Sequence, residues 1–367
     1  MRRVAALVPN VTGFSPGQRV RIEAWSDHLP DHGWSVDLYP FENAALHDVL
    51  YQPKRAGQKA LRLTECYLRQ IRRLRGLGHP DLIFIFQEAA LIGPALLERW
   101  VSRSGIPIVY DLDDPRFIPY RSPNSGRASV LKFPGKTNTI CRLASHVIAI
   151  NSLLADYASR YNSHVTVVPN SVDINRFRPG TPTSGPTRLV WIGSHSTASN
   201  LASIAPALSR LQADCSTPIR LIGGPASAVP HLEVESIAWS ADTEVELLQE
   251  GHIGLVPVPN SPWNRWKFFL KTVQYMSVGL PVVAHPMGSN AEVITDGLNG
   301  FLAETQDEWY QRLRTLVDNP DLRRRMGAAA RATAVERFSL PLHVAKVASV
   351  FNEVATSVAL PCGLPKS

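Results

Sequence analysis

Short, unbroken apolar runs alternate along this chain with longer stretches whose apolar residues recur at three-to-four spacing. Unbroken runs bounded by Gly, Pro and Asn predict strands covered on both faces, and the amphipathic stretches predict the covering helices. The pattern is that of an α/β chain with parallel sheets. The first series of strands is Val4 to Val8, Ser35 to Tyr39, Asp81 to Phe86, Ile106 to Tyr110, Ala144 to Ile150 and Val165 to Pro169. The Pro-, Gly- and Ser-rich segment 179–186 reads as a linker. A second series follows at Leu189 to Ile192, Arg220 to Ile222, Val234 to Trp239, Ile253 to Val258 and Pro281 to Ala284. Helical periodicity takes over from Glu308, with a last helix over Leu340 to Ala355.

Three strand–loop–helix transitions carry candidate chemistry. Asn10 to Gln18, with Gly13 and Gly17, precedes a helix predicted over Arg19 to His32, and Gly193 to Thr197, with Ser194, precedes one over Asn200 to Leu211. Glycine lets backbone N–H groups approach an anion, and a helix N-terminus favours negative charge. Neither loop has G-x-G-x-x-G spacing, which counts against a nicotinamide-dependent enzyme. The third transition gathers Trp263, Arg265, Trp266, Lys267 and Lys271 at the start of a helix marked by Phe269, Val273 and Met276 and stopped by Gly279. Cations and aromatic faces together suit a phosphate with an organic group attached.

Asp111, Asp113 and Asp114 end the strand from Ile106, where a metal-binding Asp-x-Asp, an acid/base cluster and helix-capping Asx turns all remain open. Gln87 and Glu88 end the strand from Asp81, at the carboxyl edge where open α/β sheets bind ligands. Arg121, Asn124 and the stretch 127–136 form a candidate acceptor loop, and His252 reads as a structural residue.

Composition narrows the class. With 367 residues, 44% hydrophobic and 19% charged, the chain suits two soluble domains. No apolar run reaches the roughly 18 to 20 residues of a membrane helix, and the opening segment, interrupted by Pro9, is too short for a signal sequence. The expected location is the cytoplasm. Cys66, Cys141, Cys215 and Cys362 are scattered without metal spacing, so no metal site is expected. Residues 1–180 hold 23 Lys and Arg against 15 Asp and Glu, while 181–367 hold 15 against 16. Lys54, Arg55, Lys59, Arg62, Arg69, Arg72, Arg73 and Arg75 concentrate that charge around a predicted stripe of Leu61, Leu68, Ile71 and Leu74. The stretch 54–75 is either a solvated face or a contact for an acidic surface, such as anionic lipid on the inner membrane face or an anionic acceptor. No module or aromatic interleaving for nucleic acid accompanies it.

The segment from Trp263 to Leu302 resembles the C-terminal half of family 4 (group 1) retaining glycosyltransferases of the GT-B fold. The resemblance rests on Trp263, Lys267, Lys271, Gln274-Tyr275-Met276 and Gly279-Leu280-Pro281-Val282-Val283, then Gly288, Asn290, Glu292 and the 297–302 turn. It implies two Rossmann-like domains facing an inter-domain cleft. Residues 1–179 would form the acceptor side, completed by a C-terminal helix, 340–367, that crosses back, and 187–339 the nucleotide-sugar side. It implies sugar transfer with anomeric retention from a nucleotide diphosphate sugar, without metal or other cofactor. The acceptor stays undetermined among cell-surface glycans, lipid-linked glycans and natural products. Carried over by position, Lys267, Asp113 and Asp114 are the candidate catalytic residues. Gly13, Gly17, Arg19, Gly193, Ser194, Trp239, Arg265, Lys271, Gln274, Ser289 and Asn290 are the candidate donor-binding ones, with Arg21 adding to the basic character of the first loop. One departure stands out: two glutamates with seven residues between them, usual in the family, are here Trp266 and Gln274. It leaves open a non-catalytic nucleotide-sugar-binding subunit or a GT-B epimerase.

Overall fold

Both series of apolar runs form parallel six-stranded sheets in the computed structural model, which describes all residues except 51, 53–54, 120–132, 182–184 and 360–367. The first sheet contains β1 (Arg2–Val8), β2 (Trp34–Pro40), β3 (Leu82–Phe86), β4 (Ile108–Leu112), β5 (His146–Ala149) and β6 (Val165–Val167), in the order β2-β1-β3-β4-β5-β6. The second contains β7 (Leu189–Ile192), β8 (Ile219–Ile222), β9 (Val234–Ile237), β10 (Ile253–Val256), β11 (Val282–Ala284) and β12 (Gly300–Leu302), in the order β12-β11-β10-β7-β8-β9. Every residue of β3, β4, β7, β8 and β10 is buried, as unbroken apolar runs require.

Strand order reverses beside the first strand of each sheet, between β1 and β3 and between β7 and β10. Loops leaving the carboxyl ends of two such strands diverge and open a crevice there. The candidate residues that follow β1, β3, β7 and β10 therefore stand at the two positions best suited to ligands.

The chain divides into one unit of Met1–Asn170 with Pro341–Ser367 and a second of Ser171–Leu340. Residues 171–179, assigned by sequence to the first domain, group with the second for a packing reason. Val172 and Phe177 join a core with Val190, Tyr275, Met276 and Phe338, and Val172 bridges to Ser339. The helix Leu340–Ala359 serves the first sheet. Its Phe351 packs edge-on against Trp34 at 5.5 Å and Phe84 at 5.9 Å, and Asn352 Oδ1 accepts from Trp34 Nε1 at 3.1 Å.

Three sequence expectations change. Gly300–Leu302, read as part of a turn, is the edge strand β12, paired with β11. The single helix expected over Arg19 to His32 is a succession of Pro16–Gln18, Arg19–Glu23, Ala24–Ser26 and Leu29–His32, broken at Arg21, whose backbone lies at φ −111°, ψ −107°. The helix Ala56–Arg75 buries Cys66 and Gln70 and leaves Leu61 58% and Leu68 50% exposed, so the four apolar residues do not share one buried stripe. Arg69 and Arg73 donate to the Pro40 carbonyl at the end of β2. The turns before Arg69 therefore run past that strand end. Among the described residues no helix is long and apolar enough to cross a membrane. Lys54 and Cys362 lie outside the described residues.

Candidate functional site

In the first unit the candidate chemistry collects at the ends of β3 and β4. Gln87, just past β3, adopts φ +57°, a left-handed conformation that costs a non-glycine residue on the order of 1 kcal/mol or more. From there its Nε2 donates to Asp113 Oδ1, while Arg116 donates to Gln87 Oε1 and to Glu88 Oε1. A guanidinium only donates, so it fixes which end of the Gln87 amide faces Asp113. Glu88 and Glu98 are in turn paired with the buried Lys136, at 3.6 and 3.2 Å, and Lys136 also donates to Ala90 O at 2.7 Å. Asp113 is 7% exposed, and a Cβ on Gly17 would stand 2.7 Å from its Oδ2. The fold thus brings Gly17 and Asp113 together, with glycine required for the fit. Burial, reinforced by Asp114 and Asp111, pushes the Asp113 carboxyl up to about 7. Asp114 is partly exposed beside it.

Asp111 and Arg21 have a different part. Both side chains are fully buried, and Arg21 Nε and Nη2 donate to the two Asp111 oxygens at 2.7 and 2.6 Å. Arg21 also donates to Val168 O and Asn170 Oδ1. The desolvation of such a pair is offset only when the remaining donors are satisfied, as here. Burial pushes the Asp111 carboxyl up, and Arg21 opposes it. Arg21 is therefore not a phosphate-facing cation of the first loop, and Asp111 is spoken for. Gly13 is also corrected, because its N–H donates to Glu23 at 2.9 and 3.1 Å and is not open to a phosphate. Arg19 lies half-buried on the run that follows. Arg121, Asn124 and 127–132 lie outside the described residues.

In the second unit the sequence cluster assembles around the helix Leu270–Ser277, preceded by a turn over Asn264–Trp266. Tyr275 sets the helix: its ring fills the space a Cβ on Gly254 of β10 would occupy, and its hydroxyl accepts from Ile192 N at 2.8 Å at the end of β7. The Lys267 segment is held from the other side. Lys267 O accepts from Ser289 N at 3.0 Å, Ser289 Oγ accepts from Phe269 N at 2.9 Å, and a Cβ on Gly288, at φ +54°, would strike Lys267 O at 2.5 Å. Asn290, fully buried, accepts from Thr272 Oγ1 and donates to His285 O. Ser289 and Asn290 are corrected accordingly, since their side chains are taken up in clamping the Lys267–Thr272 segment.

Lys271 is half-buried, with Nζ 4.4 Å from the centre of the Trp191 ring. Burial, together with the Lys267 cation, pushes its ammonium down to about 7. Gln274 follows one turn later on the same helix face. Arg265 is exposed, its Nε donating to Asn260. Gly193 contributes space and no free amide, because its N–H donates to Ile222 O at 3.0 Å. A Cβ on Gly223, at φ +79°, would meet Gly193 O at 2.5 Å and Trp239 Cβ at 3.0 Å, so three strand-end loops touch. Trp239 is 39% exposed, and its Nε1 donates to buried Glu244, which also pairs with Arg176 at 2.7 Å. Ser194 N-caps a four-residue helix in the same region. His252 stands at the other edge, before β10, where Nδ1 accepts from Arg188 N.

A cavity of about 700 Å³ opens at that other edge, lined by Gly251, His252, Leu280, Pro281, Arg323 and Arg331 among others. Its position, before β10 and β11, sets it apart from every candidate residue at the strand ends. Arg331 and Arg323 donate to backbone carbonyls, and Arg324 pairs with Asp321 at 2.8 Å.

Sequence reasoning missed Arg116 and Trp191, and it placed Lys136 at the end of the acceptor loop, where the fold has it opening the helix Lys136–Leu143 and paired with buried glutamates. Arg116 lies two residues past Asp114 and was legible as a cation beside carboxylates, whereas Trp191 inside an apolar run carries no signal beyond core.

Residues 16–176 match the model for Glycosyltransferase Family 4, and residues 186–319 that for Glycosyl transferases group 1. The chain is 36% identical over 87 residues to D-inositol 3-phosphate glycosyltransferase of Streptomyces scabiei, 23% of this chain and 19% of that protein. It is 28% identical over 95 residues to spore coat protein SA of Bacillus subtilis, 24% of this chain and 25% of that one. The matched stretches thus span a quarter or less of these relatives. HepE of Anabaena in complex with UDP-glucose is similar in fold, with a TM-score of 0.67 at 18% identity, covering 97% of this chain and 100% of that one.

Proposed function

The chain belongs to the family 4 (group 1) glycosyltransferases and has the paired Rossmann-like sheets of the GT-B class, and on that premise we propose that it transfers a sugar from a nucleoside diphosphate sugar to an acceptor, with retention at the anomeric carbon. The observation that carries the reading is Lys267 with Lys271 beyond β10, at the strand-order reversal of the second sheet. Breaking a sugar–phosphate bond places negative charge on the departing diphosphate. Cations fixed before the reaction stabilise that charge, and losing one donor of this kind commonly costs about 3 to 4 kcal/mol. Two lysines in this role make a divalent ion unnecessary. Trp239, its indole fixed by Glu244, offers a face for a nucleobase. In the first unit Asp113, held by Gln87, acts on the acceptor or the reaction centre. Same-face attack lets the leaving phosphate take the acceptor's proton, so no stronger protein base is required.

UDP-glucose, which HepE binds, is the first donor to try. A ligand that binds only the folded chain raises its melting temperature with the ratio of its concentration to its dissociation constant. A panel of UDP, GDP, CDP and dTDP and their sugars, with and without EDTA, should show one base stabilising the protein in both conditions. Stabilisation by none of them, or only with a divalent ion, defeats the reading.

Trp266 and Gln274, standing where the family has glutamates, favour a second reading, a nucleotide-sugar-binding subunit without turnover. Lys267→Ala separates the two, cutting turnover in an enzyme and weakening binding alone in a sensor. The helix Ala56–Arg75, with exposed Leu61 and Leu68 among its cations, suits peripheral contact with an anionic membrane from the cytoplasmic side.

A further inference from the structure

Trp191 is fully buried in β7, yet three parts of the strand-end region meet on its indole. A Cβ on Gly193 would stand 2.6 Å from the ring, and one on Gly224 would stand 2.7 Å from it. Across its face lies Lys271 Nζ, 4.4 Å from the centre. The ring therefore sets the level of two glycine loops and supports the ammonium beside them. Its own Nε1 has no hydrogen-bond partner among the described residues, so its place is set by shape and by its π face.

Lys267, in the segment before the helix, has the same sign as Lys271 and helps to push its ammonium down. From β7 the lysine meets the indole. We propose that Trp191 is a positioning residue of the donor site, its ring face holding the Lys271 ammonium where a carboxylate would otherwise do so, which leaves the cation's charge for a ligand diphosphate. A ring quadrupole attracts a cation without neutralising it, whereas a carboxylate would compete with the incoming anion. The inference rests on the nucleoside diphosphate sugar reading above. It carries a consequence for protons: an amine weighed down by burial and a neighbouring cation gives up its proton readily when the site is empty, and a bound diphosphate draws one back.

The test is calorimetric titration with UDP-glucose, whose diphosphate diester does not itself titrate near neutrality. Running it in two buffers of different ionisation enthalpy, at about pH 6 and about pH 8.5, counts the protons bound. Wild type is expected to take up close to one proton at the higher pH and little at the lower, and Lys271→Met none at either. Trp191→Leu is expected to weaken binding about tenfold or more, and Trp191→Phe, which keeps a smaller ring face, several-fold with uptake intact. If Trp191→Leu does not fold, wild type against Lys271→Met and Trp191→Phe still decide. Binding at the higher pH without proton uptake, or wild-type affinity in Trp191→Phe, overturns the inference and leaves the donor reading standing. No binding at the lower pH, where Lys271 is already charged, defeats the donor reading and this inference with it.

Discussion

At the ends of β3 and β4 charge is met by countercharge: Arg116 by Glu88, Lys136 by Glu88 and Glu98, and Arg21 by Asp111. Beyond β7 and β10 an aromatic face takes part instead, with the Lys271 ammonium resting on the Trp191 indole. In the first region ionic groups hold one another, and their product is a fixed position for Asp113. In the second, backbone hydrogen bonds hold the Lys267 segment and an indole holds Lys271, and their product is a fixed place for the Lys271 ammonium. Charges that neutralise each other position a side chain, and an ammonium held by a ring face keeps its charge for a ligand.

The largest expected effect tests the self-neutralised region. Arg21→Ala leaves the Asp111 carboxylate buried without its partner and should cost about 3 to 5 kcal/mol in chemical denaturation, enough to unfold much of the population. A loss near zero would mean that water reaches Asp111 and the pair is not structural. Next comes the ligand-awaiting region. Lys267→Ala should lower turnover by about 10² to 10³-fold while the melting temperature stays near that of wild type, read by steady-state kinetics beside calorimetry.

Gly17→Ala sharpens the contrast, since the new methyl would sit 2.7 Å from Asp113 Oδ2 and push the carboxyl from its place. Turnover should fall by roughly tenfold to a hundredfold through mispositioning, with the nucleotide-induced thermal shift unchanged. Equal turnover would show that Asp113 needs no fixed position. A fourth, smaller effect concerns pH. Asp113 sits near 7 in the folded chain against an ordinary 3.8, so between those values the native state keeps a proton that the unfolded chain has released. The stabilisation is fully present below the lower value and is lost as pH rises towards the upper one. Asp113→Asn should remove that decline, and parallel stability curves for the two proteins would contradict it. The smallest effect belongs to the surface. Leu61→Ser with Leu68→Ser should reduce co-sedimentation with anionic vesicles a few-fold, and added salt should reduce it further.

The sheets were legible because a strand buried on both faces needs an unbroken apolar run, and β3, β4 and β7 supply one. β12 was not, since three residues opening with Gly300 show no run and the strand exists through its pairing with β11. The break at Arg21 could not be read either, because it accompanies a contact with Asp111 ninety positions away. Lys267 and Lys271 were legible as a cluster near a helix start, for which neighbours in sequence suffice. Ser289 and Asn290 were legible as donor-binding candidates by resemblance, but the direction of their side chains depends on Phe269, Thr272 and His285, which only the fold brings near. Gly13 and Gly193 looked like open amides. Their N–H groups are occupied by Glu23 and Ile222, an accounting that spacing cannot supply.

The helix from Leu340 has a consequence for how the protein is made. Trp34 and Phe84 of the first sheet are covered by Phe351, and Trp34 is bonded to Asn352, 318 positions later. A ribosome delivers residues in order, so the earliest sheet to emerge waits longest for its cover. Residues 171–340, a continuous stretch, have all their chain before that helix appears. The nascent protein is therefore expected to mature out of order, its second unit settling while the apolar ground around Trp34 and Phe84 stays open to chaperones until the last turns leave the exit tunnel.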